Sequence, residues 1–500
     1  MHQPDARVSA VPPSSVFETE TERHGAERWI LACLVGATLL VVTLSMMRAG
    51  VAWRTGAHLT QVSGSWVTLA VDLRDGIFYR PLYGPDGYGG TRFFPLHFVL
   101  HAGLMKLGFD VLVAGYILSG SSSALLVGGV YRLLRKLDVE VTLAACAAGL
   151  VLASDATQHA LLSIRGDGLP AALNIWGIAL VLSPGSGALY AAAVLFTLAF
   201  SAKVTTVFGL AASVAALLIS GRSAQAAKLA GLSAAGMAVV VSVTNAASDG
   251  RFFDVLRASA SGNTTLRYFL SSPIHFVHSA RNVPESLMFM QIGAAALLGS
   301  TMRAWGRLPI LFFLTATATT LFIFGSPGTA KNHLLDLHVA SLIVFATWVT
   351  ANRRHARFGL AIAVSATLVA CLPLWRELRG FDTQSLRAEF EDAMKLVGPT
   401  RGTILAESPM LPILAGQRPY VLDPFIFRLA REDNPSFADP LWQKLRDHAF
   451  VAVVLEDDPD QEYAWYETMH FGTGFLQELE RSYQRAGTAH GRTVYRPRQP

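Results

Sequence analysis

The chain has little charge and almost no cysteine. Asp, Glu, Lys and Arg make up 15% of its 500 residues, where a soluble domain carries about a quarter. A water-exposed globular surface is thereby excluded for most of its length. Its three cysteines, Cys33, Cys146 and Cys371, each lie in or beside an apolar run, with no CxxC or Cys/His spacing near them. Neither a disulfide framework nor a zinc site is implied. A phosphate-binding loop, a Gly-rich dinucleotide fingerprint and a nucleophile elbow are all missing, which argues against hydrolysis of cytosolic ATP by this chain. Internal repeats and low-complexity tracts are missing too. The net charge of +5 does not point to nucleic acid, because the surplus cations sit in short loops between apolar runs.

Long apolar runs are what the sequence does contain. Hydrophobic residues make up 52%, and several windows reach the roughly 17 to 25 apolar residues that cross a bilayer. The pattern is that of a polytopic α-helical membrane protein with about eleven spans, at 29–47, 111–134, 141–156, 168–182, 189–200, 204–219, 229–245, 287–301, 308–324, 334–350 and 358–374. The segment 93–107 is apolar but short, and Pro95 stands near its start; a helix lying on or dipping into the membrane suits it better than a crossing. Residues 1–28 read as a disordered cytoplasmic tail, 29–375 as the membrane domain and 376–500 as a separate, more polar domain.

The loops alternate in charge. With the N-terminus inside, Arg132/Arg135/Lys136, Arg222/Lys228, Arg303/Arg307 and Arg353/Arg354/Arg357 all fall on the cytoplasmic side. The outer side then holds the long first loop (50–110, including the juxtamembrane helix), the connections 155–167, 246–285 and 325–336, and the C-terminal domain. That domain reads as a small extracytoplasmic α/β unit. Strands are predicted at 403–406, 420–422 and 451–455, and helices at 383–397, 439–448 and 462–482.

Most residues able to do chemistry therefore face one side. Asp72 and Asp75 share a helical face in the first loop. A carboxylate at the membrane surface could take a proton from a hydroxyl that attacks a sugar, or it could simply pair with Arg74 or Arg80. The loop continues through Tyr79 to Arg92, with glycines and aromatics suited to stacking on a sugar or a lipid headgroup. Arg165-Gly166-Asp167 stands at the end of a span. It reads as a snorkelled anchor or ion pair, or as a guanidinium fixed to hold a phosphate. Lys203, alone between two apolar runs, needs a partner or an anionic ligand. Lys331 and Asn332 open a span and could donate to a phosphate at a helix N-terminus, with His333 beside them; the alternative is an ordinary capped helix start, but the segment converges on the same side as the first loop. His97 and His101 are four apart, but no third ligand accompanies them, so packing is the better reading.

Taken together these features resemble the polytopic lipid-phosphate-sugar glycosyltransferases of the GT-C fold. Among them the chain is most similar to the bacterial mannosyltransferase-like and aminoarabinose-transferase-like group, glycosyltransferase family 39. The resemblance rests on Trp66, Ala70, Asp72, Gly76 and Tyr79 of the first loop and on Phe94-Pro95-Leu96 running to Lys106-Leu107-Gly108. It extends to Arg165 with Asp167-Gly168, Asn332-His333, Ile404-Leu405-Ala406-Glu407 and Leu422-Asp423-Pro424. It implies a polyprenyl-phosphate-linked sugar as donor, membrane lipid as surroundings, and a glycan, lipid or protein hydroxyl as acceptor. It also implies a first-loop Asp as general base, and Arg165, Lys203 or Lys331 stabilising the departing lipid phosphate. The location implied is a bacterial inner membrane. No nucleotide, nucleic acid or obligatory metal is implied. The family's acidic residue, registered on Trp66, Ala70 and Gly76, falls at Val62 or Ser63. Neither is acidic, so the carboxylate would be Asp72, Asp75 or Asp86.

Three rivals fit parts of the pattern. A transporter or flippase would carry ionisable residues at span centres and Gly/Pro-broken helices, and few are present. A surface-polysaccharide ligase or polymerase shares the large outer loop. A non-catalytic assembly protein of cell-envelope polysaccharide would keep the architecture without the early acid.

Overall fold

The computed structural model describes residues 20–260, 264–281, 283–298, 307–326, 328–352, 355–380, 385–398 and 402–498. Residues 1–19 of the expected tail, and Asn263, Arg303, Arg353 and Arg354, lie outside the described residues. The first helix already starts at Glu20, so residues 20–28 are helical and not part of a disordered tail.

Six helices are long and apolar enough to cross a membrane: Gly25–Thr55, Val111–Lys136, Ser223–Ala247, Arg307–Phe324, Lys331–Ala351 and Ala356–Gly380. A bent pair, Val141–Ala153 and Asp155–Leu162, would make a seventh span with a 73° bend. The bend has a local cause. The Ser154 side chain accepts from the Thr157 N–H and starts a new helix there. Four shorter apolar helices complete the bundle: Gly168–Val181, Ser186–Ala202, Phe208–Ile219 and Ser286–Leu298. The helix Pro95–Lys106 starts with proline in its first turn and packs on the first-loop helix Gln61–Arg74.

The helices run between two chemically different ends. Gly168–Val181 starts at Asp167, and just beyond its end the Ser183 hydroxyl accepts from Lys136 Nζ at 2.6 Å. Phe208–Ile219 starts after the break at Lys203 and finishes near Arg222, while Arg307–Phe324 runs the opposite way, from Arg307 to Gly325. The basic clusters thus collect at one end. Asp167, Lys203 and Gly325 collect at the other, under the C-terminal domain.

That domain contains a four-stranded sheet ordered β1-β2-β4-β3, with β1 Thr403–Ala406, β2 Phe450–Leu455, β3 Tyr483–Ala489 and β4 Arg492–Pro497. β1 and β2 run parallel and the other pairs antiparallel. Tyr420–Leu422 is extended but does not join the sheet. It pairs instead with the first loop, where the Tyr88 N–H donates to the Tyr420 carbonyl at 2.7 Å and the Leu422 N–H to the Tyr88 carbonyl at 2.9 Å. The predicted helix 462–482 is two short helices, Tyr463–Thr468 and Phe475–Ser482.

Further bonds lock the first loop to this domain. Ser65 Oγ donates to the Leu422 carbonyl at 3.0 Å, and Arg80 donates to the Pro419 carbonyl at 2.8 Å. Gly64 is pressed so close that a Cβ there would stand 2.5 Å from the Met410 backbone nitrogen. The first-loop helix is consequently a fixed platform between the membrane helices and the C-terminal domain.

Candidate functional site

A cavity of about 800 Å³ opens where the bundle meets the C-terminal domain. The start of the first-loop helix contributes Gln61, Val62 and Trp66. Trp66 stacks on Phe93, also a wall residue, at 4.1 Å between ring centroids. Gly166 permits this arrangement, since a Cβ there would come within 2.5 Å of the Trp66 ring. Trp66 is buried behind Phe93, and the half-buried Phe93 ring is the aromatic face this wall presents, of the kind that carries a sugar face.

The bundle supplies the charge. Arg92, Arg165 and Lys203 line the cavity against a single carboxylate, Asp167, so cations are in excess. Asp167 organises the site. It accepts from Lys203 Nζ at 2.8 Å, Asn332 Nδ2 at 2.9 Å and Arg165 Nε at 3.2 Å. Burial opposes its charge, but Lys203 and Arg165 outweigh that and hold the carboxyl well below its usual range. Arg165 spends only its Nε on this contact among the described residues. Its two terminal amino groups are left for an anion. Arg92 lies over the Phe425 ring at 4.6 Å, with Asp423 3.9 Å away.

The flank of the cavity is apolar and outward facing. Val204, Phe269 and Phe322 are all lining residues and all exposed. An exposed phenylalanine in a membrane helix faces lipid, so a ligand's hydrocarbon tail can leave the site without entering water. The C-terminal domain adds Phe425, Ile426, Trp465, Met469 and His470 to the lining.

Of the residues singled out in the sequence, Arg92, Arg165, Asp167, Lys203, Asn332 and His333 come together around this cavity. Five others do not. Asp72 lies on the buried face of the first-loop helix and is held in a two-pronged ion pair by Arg80, at 2.7 and 2.8 Å, with Arg418 3.5 Å away. No face of it is left for a substrate. Asp75 and Arg74 pair with each other at 2.8 Å and border a separate, smaller depression with Arg418; the Arg74 hydrogen bond holds the Asp75 carboxyl below its usual range. Tyr79 is buried, and its hydroxyl donates to the Phe93 carbonyl at 2.8 Å. Lys331 turns away to Asp155 at 2.7 Å. In the structure the first-loop aspartates lie off the cavity lining and are engaged in ion pairs that fasten the loop. The position where the family's acid would register, Val62 or Ser63, is split: Val62 does face the cavity and Ser63 is buried.

The sequence reading missed Trp465 and His470. Both hold one carboxylate oxygen, Glu407 Oε1: His470 Nδ1 at 2.7 Å and Trp465 Nε1 at 2.8 Å. Nothing in the local sequence sets this histidine apart, because its partner is 63 positions away.

No family model matches the chain, and no curated protein matches it. Solved structures do. The apo structure of ArnT from Cupriavidus metallidurans aligns over 94% of this chain and 98% of its own, with 14% identity and a TM-score of 0.51. ArnT bound to undecaprenyl phosphate aligns over the same shares with 13% identity and a TM-score of 0.50. The archaeal oligosaccharyltransferase AglB from Archaeoglobus fulgidus, in complex with an inhibitory peptide and a dolichol-phosphate, aligns over 91% of this chain and 72% of its own, with 13% identity and a TM-score of 0.56. The chain is a multi-pass membrane protein with the GT-C fold.

Proposed function

We propose that the chain is a membrane glycosyltransferase that takes its sugar from a polyprenyl-phosphate carrier and passes it to an acceptor hydroxyl at the cavity. One observation carries the reading. Arg92, Arg165 and Lys203 converge on a cavity whose floor is aromatic and whose flank is exposed apolar side chains. Each part of a lipid-phosphate sugar has a matching wall: cations for the phosphate, Phe93 backed by Trp66 for the sugar, and Val204 and Phe322 for the tail.

The chemistry follows from that placement. The acceptor oxygen attacks the anomeric carbon, the bond to the phosphate oxygen breaks, and the electron pair leaves with the lipid phosphate. Arg165 and Lys203 stabilise that departing charge from fixed positions, because Asp167 holds both before substrate arrives. The fold likeness to proteins solved with undecaprenyl phosphate and dolichol-phosphate supports the lipid carrier. The charge alternation of the loops supports an extracytoplasmic cavity in a bacterial inner membrane.

Binding and transfer can be measured separately. The full chain in nanodiscs is expected to bind undecaprenyl phosphate, and Arg165→Met with Lys203→Met to weaken that binding at least about tenfold by removing two charge-assisted contacts. A strain lacking the chain is expected to lose a defined mass from a surface glycan or lipid, restored by the wild type and not by the double variant. Unchanged lipid-phosphate affinity in the double variant, or an unaltered envelope in the deletion strain, contradicts the reading.

A further inference from the structure

The cavity holds cations and stacking rings, but its one carboxylate is consumed by three donors. Proton transfer from an acceptor hydroxyl needs a group with a free lone pair. His333 lies among Arg92, Arg165 and Lys203, on the side that suits the phosphate. His470 lines the same cavity and is contributed by the C-terminal domain.

The surroundings of His470 fix its tautomer. Glu407 follows β1 and is buried to 1% exposure. Burial opposes its charge, but hydrogen bonds from His470, the Glu456 N–H and Trp465 outweigh that and hold its carboxyl below its usual range. A carboxylate on Nδ1 requires the proton there, so the neutral ring carries its lone pair on Nε2. That nitrogen is on the ring edge turned away from Glu407, and it has no partner among the described residues. Trp465 packs against the same ring at 4.4 Å and keeps it from rotating.

We propose that His470 is the general base of the transfer and that Glu407 is its positioning residue. This rests on the glycosyltransferase reading above. His470 Nε2 takes the proton of the acceptor hydroxyl as the acceptor oxygen bonds to the anomeric carbon. The lipid phosphate leaves with the electron pair of the broken bond. The proton on the imidazolium then passes to water or to the released phosphate. The base comes from the C-terminal domain and the leaving-group cations Arg165 and Lys203 from the bundle, so the two roles fall on different parts of the cavity lining. The base is thus supplied by a domain the first loop does not contain.

The test uses membrane vesicles from a strain lacking the chromosomal copy, which contain their own donor and acceptor. They carry the full-length wild type or a variant, and product is followed by mass. Undecaprenyl phosphate binding is measured on the same purified chains. His470→Ala is expected to lower transfer about 100-fold, the scale of a lost general base, with lipid-phosphate binding unchanged. Added imidazole is expected to restore part of the rate. Glu407→Gln is expected to lower turnover about tenfold with little change in half-saturation for acceptor. His490→Gln, on the exposed β3–β4 turn, is expected to leave transfer unaltered.

His470→Ala within about twofold of wild type, too small a change for a lost general base, overturns the proposal. Loss of lipid-phosphate binding together with transfer, without imidazole rescue, also overturns it and makes the residue structural. If His470→Ala does not fold, His470→Gln, which can still donate to Glu407, takes its place; failure of both to fold counts against the proposal. Wild-type vesicles that bind undecaprenyl phosphate but transfer nothing overturn the parent reading instead.

Discussion

Asp72 is buried and Asp167 half-buried, and their partners give the two carboxylates opposite roles. Asp72 is closed by the Arg80 fork, whereas Asp167 presents Arg165 and Lys203 to a cavity. Asp72→Asn strands the Arg80 guanidinium in a buried place, at a cost of about 3 to 5 kcal/mol. The expected outcome is a large drop in melting temperature of the purified chain. A variant that melts like wild type but transfers no sugar would instead make Asp72 a base. Asp75 is partly exposed, so Asp75→Asn should change transfer in vesicles by less than about twofold, as for other surface pairs; complete loss of transfer would put Asp75 back in the site. The cavity cations were legible in the sequence because a lone Lys203 or an Arg165 at the edge of an apolar run is costly without a purpose. His470 was not legible, because a histidine in a polar domain carries no such cost and its partner Glu407 is remote in sequence.

At the scale of elements, the first-loop helix works as a wedge between bundle and C-terminal domain. Gly64→Ala would press a methyl into the Met410 backbone. It is expected to loosen the domain and expose the 402–418 segment to protease, while the membrane helices stay intact; unchanged digestion would contradict the wedge. β1 and β2 were readable as short apolar runs. β3 was not, because its outward residues Gln484, Arg485 and Thr488 are polar and only Tyr483 is fully buried. Tyr420–Leu422 looked like a strand and is one in backbone form, but its partner is Tyr88, which no local pattern could indicate. The Glu407 contact at the end of β1 also links stability to pH. A carboxyl held below its ordinary value of 4.5 contributes stability that is complete above that pH and is lost as the pH falls through the lower folded value. The gap in melting temperature between wild type and Glu407→Gln should therefore be full at neutral pH and narrow below 4.5. A gap that does not change with pH would contradict an ionised Glu407.

Across the whole molecule, charge segregation orders the fold. Helices that touch the cavity at one end carry Lys136, Arg222 or Arg307 at or near the other. The sequence alone shows which loops are basic, but the gathering of Arg92, Arg165, Lys203 and Asn332 around one opening needs helices from distant parts of the chain. Short helices such as Phe208–Ile219 blur the span boundaries because neighbours, more than lipid, cover them. If the basic end is cytoplasmic, a phosphatase fused after Pro500 is active in cells and one fused at Arg135 is inactive; the reverse pair of results would invert the orientation. The most direct measurement is a cryo-electron microscopy map of the full-length chain in nanodiscs with undecaprenyl phosphate. The expected map shows the phosphate within hydrogen-bond distance of Arg165 and Lys203, with the tail leaving past Val204 and Phe322. Density for the lipid phosphate at any other place, with this cavity empty, would contradict it.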